Sequence, residues 1–198
     1  MPNIDKCTEK LIKEKATALF FVLGHINASS QEIADYAGVK RTLVNYYFRS
    51  KNNLFKITYD ELITNLKSSL KKIYISKQPF SNKVEELIDF LIFFRESYPY
   101  LEKFNIQEIN NINRSADSIL QPQGSAELNY FIKEVEQEME NGLIKKYHPI
   151  NFILNIFSLV SFPIVMKPLF IEIFDIDKSE FIALLKARKQ VIKTILFN

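Results

Sequence analysis

The stretch that decides the fold runs SSQEIADYAGVKRTLVNYYFRSKNNLF, from Ser29 to Phe55. Ser29 and Glu32 have the spacing of a capping box, which predicts the start of a short helix. Residues 37–39, Ala-Gly-Val, supply the small side chains of a tight turn, and a second short helix follows. Two short helices joined in this way predict a helix-turn-helix, whose second helix lies in the major groove of DNA.

The side chains of this motif match the chemistry of DNA. Lys40 and Arg41 can reach phosphates or guanine, and Thr42 and Asn45 can contact base edges, with Asn45 pairing with adenine. The tyrosine hydroxyls can bond phosphate oxygens, and a lysine at the next helix start can hold a phosphate. The predicted DNA-binding residues are Ser30, Gln31, Lys40, Arg41, Thr42, Asn45, Tyr46, Tyr47 and Lys51.

The distribution of charge supports a polyanionic partner. The chain has 198 residues and a net charge of +3. Up to Ile57 there are nine Lys and Arg against five Asp and Glu, whereas the remainder carries 17 against 18. Between Val39 and Tyr59 there are five basic residues and no acidic one. Clustered cations favour phosphate binding, although a solvated helix face would show the same pattern.

Outward from this motif, the periodicity of apolar residues predicts an all-α chain of about nine helices. A first helix is expected from Thr8 to about Leu23, and a long one from Lys51 to about Tyr74. A further helix from Lys83 to Ser97 is apolar on nearly all sides and is expected to be central. Residues 77–82 and 113–125 are predicted to be connections, and bends are expected at Pro163 and Pro168.

The motif resembles the DNA-binding domain of the TetR family of bacterial transcriptional regulators. The matching elements are Ile33-Ala34, the Ala-Gly-Val turn, Asn45-Tyr46-Tyr47-Phe48 and Lys51-Asn52-Asn53-Leu54, preceded by a first helix of the family's type. Two positions depart from the family pattern. Lys40 replaces the serine that commonly caps the recognition helix, and Asn45 replaces an aromatic residue.

The resemblance implies two domains with different functions. Residues 1–50 would form the helix-turn-helix domain, and residues 51–198 a helical ligand-binding and dimerisation domain. A homodimer, formed through the helices near 149–174 and 179–197, would bind a palindromic operator and usually repress transcription. A small-molecule effector would release the DNA, and no cofactor is expected.

The 17 Phe and nine Tyr residues of the chain suit a helical core, which is where most of them are expected. A minority in the helices that surround the family's cavity is predicted to line a pocket for an apolar or aromatic ligand. The candidates are Phe90, Phe94, Tyr98, Phe104, Tyr130 and Phe131.

Other classes of function find little support in the sequence. Two histidines and one cysteine, without partners at motif spacing, predict neither an enzyme nor a metal site. The uncharged stretch from Pro149 to Met166 carries three polar residues on one helix face, which favours a buried amphipathic helix over a membrane span. We therefore expect a cytoplasmic protein. Two alternatives stay open: a DNA binder of the same fold without an inducer, and a small helical enzyme or carrier.

Overall fold

The computed structural model describes residues 2–110 and 126–198, which form ten α-helices, one π-helical turn and no strand. The predicted all-α class is confirmed, with one helix more than the sequence suggested. The connection predicted at 113–125 lies outside the described residues. The helices are α1 (Pro2–Thr17), which the π-helical turn (Ala18–Val22) continues, α2 (Ser30–Ala37), α3 (Arg41–Phe48), α4 (Lys51–Tyr74), α5 (Phe80–Ser97), α6 (Leu101–Asn110), α7 (Ala126–Glu140), α8 (Pro149–Val165), α9 (Lys167–Ile173) and α10 (Lys178–Leu196).

The first of two compact units contains α1 to α3, the part of α4 that ends at Lys67, and the segment Ser97–Asn110 with α6. Each of its first three helices is amphipathic and buries one apolar face, as the spacing predicted. Each fully buried Ile, Leu or Phe stabilises the unit by roughly 1.5–3 kcal/mol. Its buried side chains include Ile12, Ala16, Ile33, Val44, Phe48 and Leu54. The predicted functional boundary at residue 50 stays a prediction.

The π-helical turn at the end of α1 buries three consecutive side chains, Leu19, Phe20 and Phe21. The Leu23 N–H donates to the Ala18 carbonyl at 2.9 Å, one residue further along than in an α-helix. The Phe21 carbonyl accepts a hydrogen bond from the Tyr100 N–H at 3.2 Å. This bond ties the chain just before α6 to the end of the first helix.

An aromatic cluster joins this turn to α4 and α6. The ring centroid of Phe55 lies 5.0 Å from that of Phe20 and 4.7 Å from that of Phe104, both in edge-to-face geometry. Tyr59 packs 5.2 Å from Phe104, and its hydroxyl donates to Asn105 Oδ1 at 2.8 Å. Such aromatic pairs contribute about 0.5–1.5 kcal/mol each beyond the area they bury, so α6 is firmly part of this unit.

The second unit contains Ser68–Glu96 and the chain from Asn111 onward. Its core forms where α5, α7, α8 and α10 meet, and it includes Leu87, Ile88, Leu91, Phe131, Val135, Phe152, Ile156 and Ile192. The rings of Tyr74, Phe80 and Phe131 stack at the base of this core, 5.0 and 5.7 Å apart. Burial there raises the pKa of Tyr74 to about 12.

Helix α5 is central, as predicted, but it is not apolar on nearly all sides. Lys83 is fully buried, and its ammonium contacts Glu134 Oε2 at 2.5 Å and donates to the Tyr74 carbonyl at 3.2 Å. The same ammonium lies 5.4 Å from the ring centroid of Tyr130. A carboxylate, a carbonyl and a ring face together compensate the lost hydration of this charge. Phe93, by contrast, is 69% exposed.

The predicted start of α5 at Lys83 is wrong, because the helix begins three residues earlier at Phe80. The predicted loop at 77–82 is correspondingly shorter. The Lys83 N–H donates to the Pro79 carbonyl at 3.0 Å, so the residue after the proline opens the helix. Phe80 is buried on the Phe131 and Phe152 rings, and this packing outweighs the polar composition of residues 81 and 82.

The C-terminal uncharged stretch also differs from expectation. Pro163 lies inside α8 without ending it, and the chain breaks at Met166, where α9 turns away by 68°. Helix α8 is amphipathic, as predicted: it buries Phe152, Ile156 and Val160, and the face that carries Asn151, Asn155 and Ser158 is exposed. No single described helix is long and apolar enough to cross a membrane, and α8 and α9 reach that composition only as a bent pair.

Candidate nucleic-acid interface

Helices α2 and α3 form the predicted helix-turn-helix. Gly38 ends α2 in the left-handed region, with φ 68° and ψ 32°, and its N–H bonds back to α2 carbonyls. The Val39 N–H donates to the Ala34 carbonyl at 3.0 Å and completes the turn. Ala34 and Val44 are both fully buried, so the two helices present their polar faces outward from a fixed crossing.

The capping box predicted at the start of α2 is confirmed. The Glu32 N–H donates to Ser29 Oγ at 3.2 Å, and the Ser29 N–H donates to Glu32 Oε2 at 2.7 Å. Hydrogen bonds from the Ser29 backbone and side chain lower the pKa of the Glu32 carboxyl, and the nearby His25 and Lys51 lower it further. The start of α2 is therefore fixed without help from a ligand.

Helix α3 exposes the polar residues that the sequence assigned to DNA. Lys40 is the N-cap residue and makes no side-chain capping bond, in agreement with its departure from the family pattern. The Tyr46 side chain is 72% exposed, and its ring packs edge-to-face on Tyr47 with centroids 5.1 Å apart. The exposed residues on this face are Lys40, Arg41, Thr42, Asn45 and Tyr46.

The remaining predicted DNA-binding residues are held by neighbours. The Gln31 amide donates to Asp35 Oδ1 at 2.8 Å, and the Lys51 ammonium donates to the Asn27 carbonyl at 3.2 Å. Ser30 and Tyr47 are half-buried. Lys51 thus anchors the turn before α2 on the start of α4, a positioning role that the sequence did not indicate. Its contact with a phosphate stays a prediction.

The junction between α3 and α4 was only partly anticipated. Ser50 caps the start of α4, because its Oγ accepts a hydrogen bond from the Asn53 N–H at 3.2 Å. The Asn53 side-chain amide also donates to the Phe48 carbonyl at 3.0 Å. Arg49 between them has a φ of 62°. The sequence did not indicate a positive φ at Arg49, because left-handed turns favour Gly, Asn or Asp.

The six aromatic residues proposed for a ligand pocket are divided between the two units. Tyr98 and Phe104 belong to the first unit, where Phe104 sits in the aromatic cluster with Phe55. In the second unit, Phe131 is fully buried in the ring stack and Tyr130 lies half-exposed beside Lys83. Phe90 and Phe94 pack on each other, with centroids 5.9 Å apart. Their role in binding a ligand stays a prediction.

A cleft of about 680 Å³ lies on the surface of the second unit, where α5 faces α10. It is lined by Phe90 and Phe93 and by polar groups that include Glu85, Asp89 and Lys189. Of the six proposed ligand residues, only Phe90 lines it. The cleft is therefore more polar than the apolar pocket expected from the sequence.

Comparison with known proteins agrees with this geometry. Residues 12–57 match the profile of the bacterial regulatory proteins of the tetR family. A 147-residue stretch is 24% identical to YhgD of Bacillus subtilis, described as an uncharacterized HTH-type transcriptional regulator, and covers 74% of this chain and 76% of that protein.

Solved structures extend the likeness to the whole fold. The hemolysin II transcriptional regulator HlyIIR superposes with a TM-score of 0.60 at 21% identity, over 98% of this chain and 99% of that one. A TetR-family regulator from Haemophilus influenzae Rd gives a TM-score of 0.55 at 13% identity, over 98% of both chains. The helix-turn-helix at residues 30–48 lies within the matched residues 12–57, so the chain carries a DNA-binding domain of the TetR-family type and shares the fold of solved TetR-family regulators.

Proposed function

We propose that this chain is a repressor that binds a palindromic operator as a homodimer and is released from it by a small apolar or aromatic ligand. The observation that carries the proposal is the exposed face of α3, where two cations, two hydrogen-bonding side chains and a tyrosine stand on a rigid two-helix frame. Such a face combines phosphate attraction with base-edge recognition. A regulator of this kind acts on bacterial DNA in the cytoplasm.

Exposed apolar side chains on the last helices support the homodimer. Single exposed apolar residues are ordinary, but a set that recurs along consecutive helices is typical of an association surface. In an isologous dimer the same surface of each chain faces its copy, and two recognition helices then meet two half-sites. The exposed residues are Ile150, Leu154 and Phe162 of α8, Leu169 and Ile173 of α9, and Ile182, Leu184, Val191 and Ile195 of α10.

Base reading by α3 is tested with single substitutions in a DNA-binding assay. Lys51→Ala is expected to weaken binding to every duplex alike, whereas Asn45→Ala and Arg41→Ala should also change the preferred bases. Preferences are measured by selecting sequences from a random duplex library with each purified variant. A wild-type protein that binds no duplex at low salt would overturn the regulator assignment. A uniform loss for Asn45→Ala would remove only its base-reading role.

The small-molecule response is tested separately. Apolar and aromatic compounds are screened for a rise in melting temperature, and each one that stabilises the protein is added to the protein–operator complex. Release of the operator by such a compound supports the induced repressor. Since the rings of Phe131 and Phe94 are buried in packed clusters, a DNA binder without an inducer is the second candidate. A screen in which no stabilising compound releases DNA would favour that candidate.

A further inference from the structure

Arg49 has a backbone conformation that an arginine adopts at a cost. Its φ of 62° and ψ of −43° lie in the left-handed half of conformational space, where a Cβ crowds the backbone. The Ser50 N–H donates to the Phe48 carbonyl at 2.7 Å, which closes a three-residue turn around Arg49. Glycine, which has no Cβ, would occupy this position with less strain. The arginine side chain therefore needs a reason other than the turn.

The side chain of Arg49 makes no contribution to the fold that would explain it. It is exposed, and it forms no hydrogen bond or ion pair with any residue that the structure describes. At the same junction, the Lys51 ammonium is bonded to the Asn27 carbonyl. Within the described part of the chain, the side-chain donors of Arg49 at this end of α3 are therefore available to a partner.

The position of Arg49 relative to α3 indicates what that partner is. Helix α3 has eight residues and is therefore about 12 Å long, which is about the width of the major groove. Lys40 and Arg41 stand at its first end and Arg49 at its last, with Thr42 and Asn45 between them. A helix with cations at both ends can meet the phosphates that border the groove on both sides while its centre faces the bases.

We propose that Arg49 binds a backbone phosphate on the side of the groove opposite to Lys40 and Arg41. Its guanidinium forms a two-pronged, charge-assisted hydrogen bond to phosphate oxygens. The left-handed turn at Arg49 ends α3 at Phe48 and allows α4 to start at Lys51. The long cationic side chain of Arg49 extends from this turn. The backbone strain at Arg49 thus lowers the stability of the folded chain, whereas its side chain raises the affinity for DNA.

The test measures stability and DNA binding of Arg49→Gly on a random-sequence 24-base-pair duplex. Removal of the strain is expected to raise the melting temperature, whereas loss of the phosphate contact lowers DNA affinity about tenfold or more at moderate salt. The slope of log affinity against log salt should fall in magnitude by about 0.9 for each chain bound. Arg49→Lys should retain most of the salt slope, because a point charge remains.

Asp175→Gly is the matched control, because Asp175 has a φ of 49° and lies outside the helix-turn-helix. It should relieve strain in the same way and leave the salt slope unchanged. An Arg49→Gly protein with wild-type affinity and salt slope would overturn the proposal. So would a change of preferred bases in library selection, since a phosphate contact weakens all sequences alike. Binding of the wild-type protein to the duplex checks the regulator assignment independently.

Discussion

At the scale of single residues, two glycines with the same positive φ differ in the space available for a side chain. Gly24 and Gly142 both have a φ of 80°. A Cβ on Gly24 would lie 2.6 Å from the ring of Tyr100, whereas a Cβ on Gly142 would meet no atom of a described residue within 4 Å. The strain of a left-handed residue is common to both positions, and only Gly24 adds a close approach to another chain segment.

Substitution of these two glycines by alanine is expected to lower the free energy of unfolding by different amounts. Gly142→Ala is expected to lower the free energy of unfolding by about 1 kcal/mol, from backbone strain alone. Gly24→Ala should cost about 2–4 kcal/mol, because the Tyr100 ring must also shift. Urea denaturation of both variants measures the difference. Equal destabilisation would show that the Tyr100 contact yields freely.

Local residue chemistry was predictable and distant contacts were not. The capping box of Ser29 and the left-handed Gly38 depend on residues a few positions apart, so the sequence alone indicated both. The contact of Gly24 with Tyr100 joins residues far apart in the chain, and no periodicity encodes it. The positive φ of Arg49 was missed because its residue type argues against it.

At the scale of elements, a charged cluster fastens α10 to α5. Glu85 accepts hydrogen bonds from Lys193 and Lys189, and Lys189 also contacts Asp89 at 2.7 Å. The hydrogen bond from Lys193, followed by that from Lys189, lowers the pKa of the Glu85 carboxyl below its usual 4.5. The same partners raise the pKa of Lys189. These ion pairs are solvent-accessible and contribute modestly.

A depressed carboxyl pKa fixes the direction of the pH effect. Glu85 stabilises the folded chain above its unfolded pKa near 4.5, and this stabilisation is lost as the pH falls through the lower folded value. Glu85→Gln should therefore be less stable than wild type at pH 7 and equal to it below the folded pKa. Denaturation with urea across this range measures the difference. A deficit that persists in acid would assign the effect to packing instead.

The periodicity of apolar residues predicted the helices better than it predicted the contacts between them. The predicted bounds of the long helix α4, Lys51 to Tyr74, agree with the structure. The early start of α5 was missed because Phe80 packs against rings from α7 and α8. The burial of Lys83 was missed because it depends on Glu134, which lies on another helix. The apolar periodicity of one helix does not indicate which side chains of another helix it contacts.

At the scale of the whole molecule, the proposed homodimer makes a sharp prediction. Leu154→Lys on α8 and Val191→Lys on α10 place charges on two exposed apolar positions. We expect monomers in analytical ultracentrifugation and a large loss of operator affinity, because one recognition helix covers only half of a palindrome. Both variants should keep their helical circular dichroism, since neither side chain is buried.

Phe93→Lys is the matched control for these variants. Phe93 is more exposed than either residue, yet it lies on α5 and not on the proposed dimer surface. It should leave the dimer and the operator affinity unchanged. Dimers that persist in Leu154→Lys and Val191→Lys would place the association surface elsewhere. The sequence identified the helices concerned by resemblance alone, because association depends on surfaces that periodicity does not describe.

The π-helical turn after α1 changes the helical phase of the residues that follow it. A turn that closes one residue late contains, in effect, one inserted residue, and everything after it is rotated relative to a continuous α-helix. That offset lets Leu19, Phe20 and Phe21 all reach the core and leaves the Phe21 carbonyl to Tyr100. A homologue shorter by one residue in this turn would have a continuous helix, and would need a different attachment between its first helix and α6.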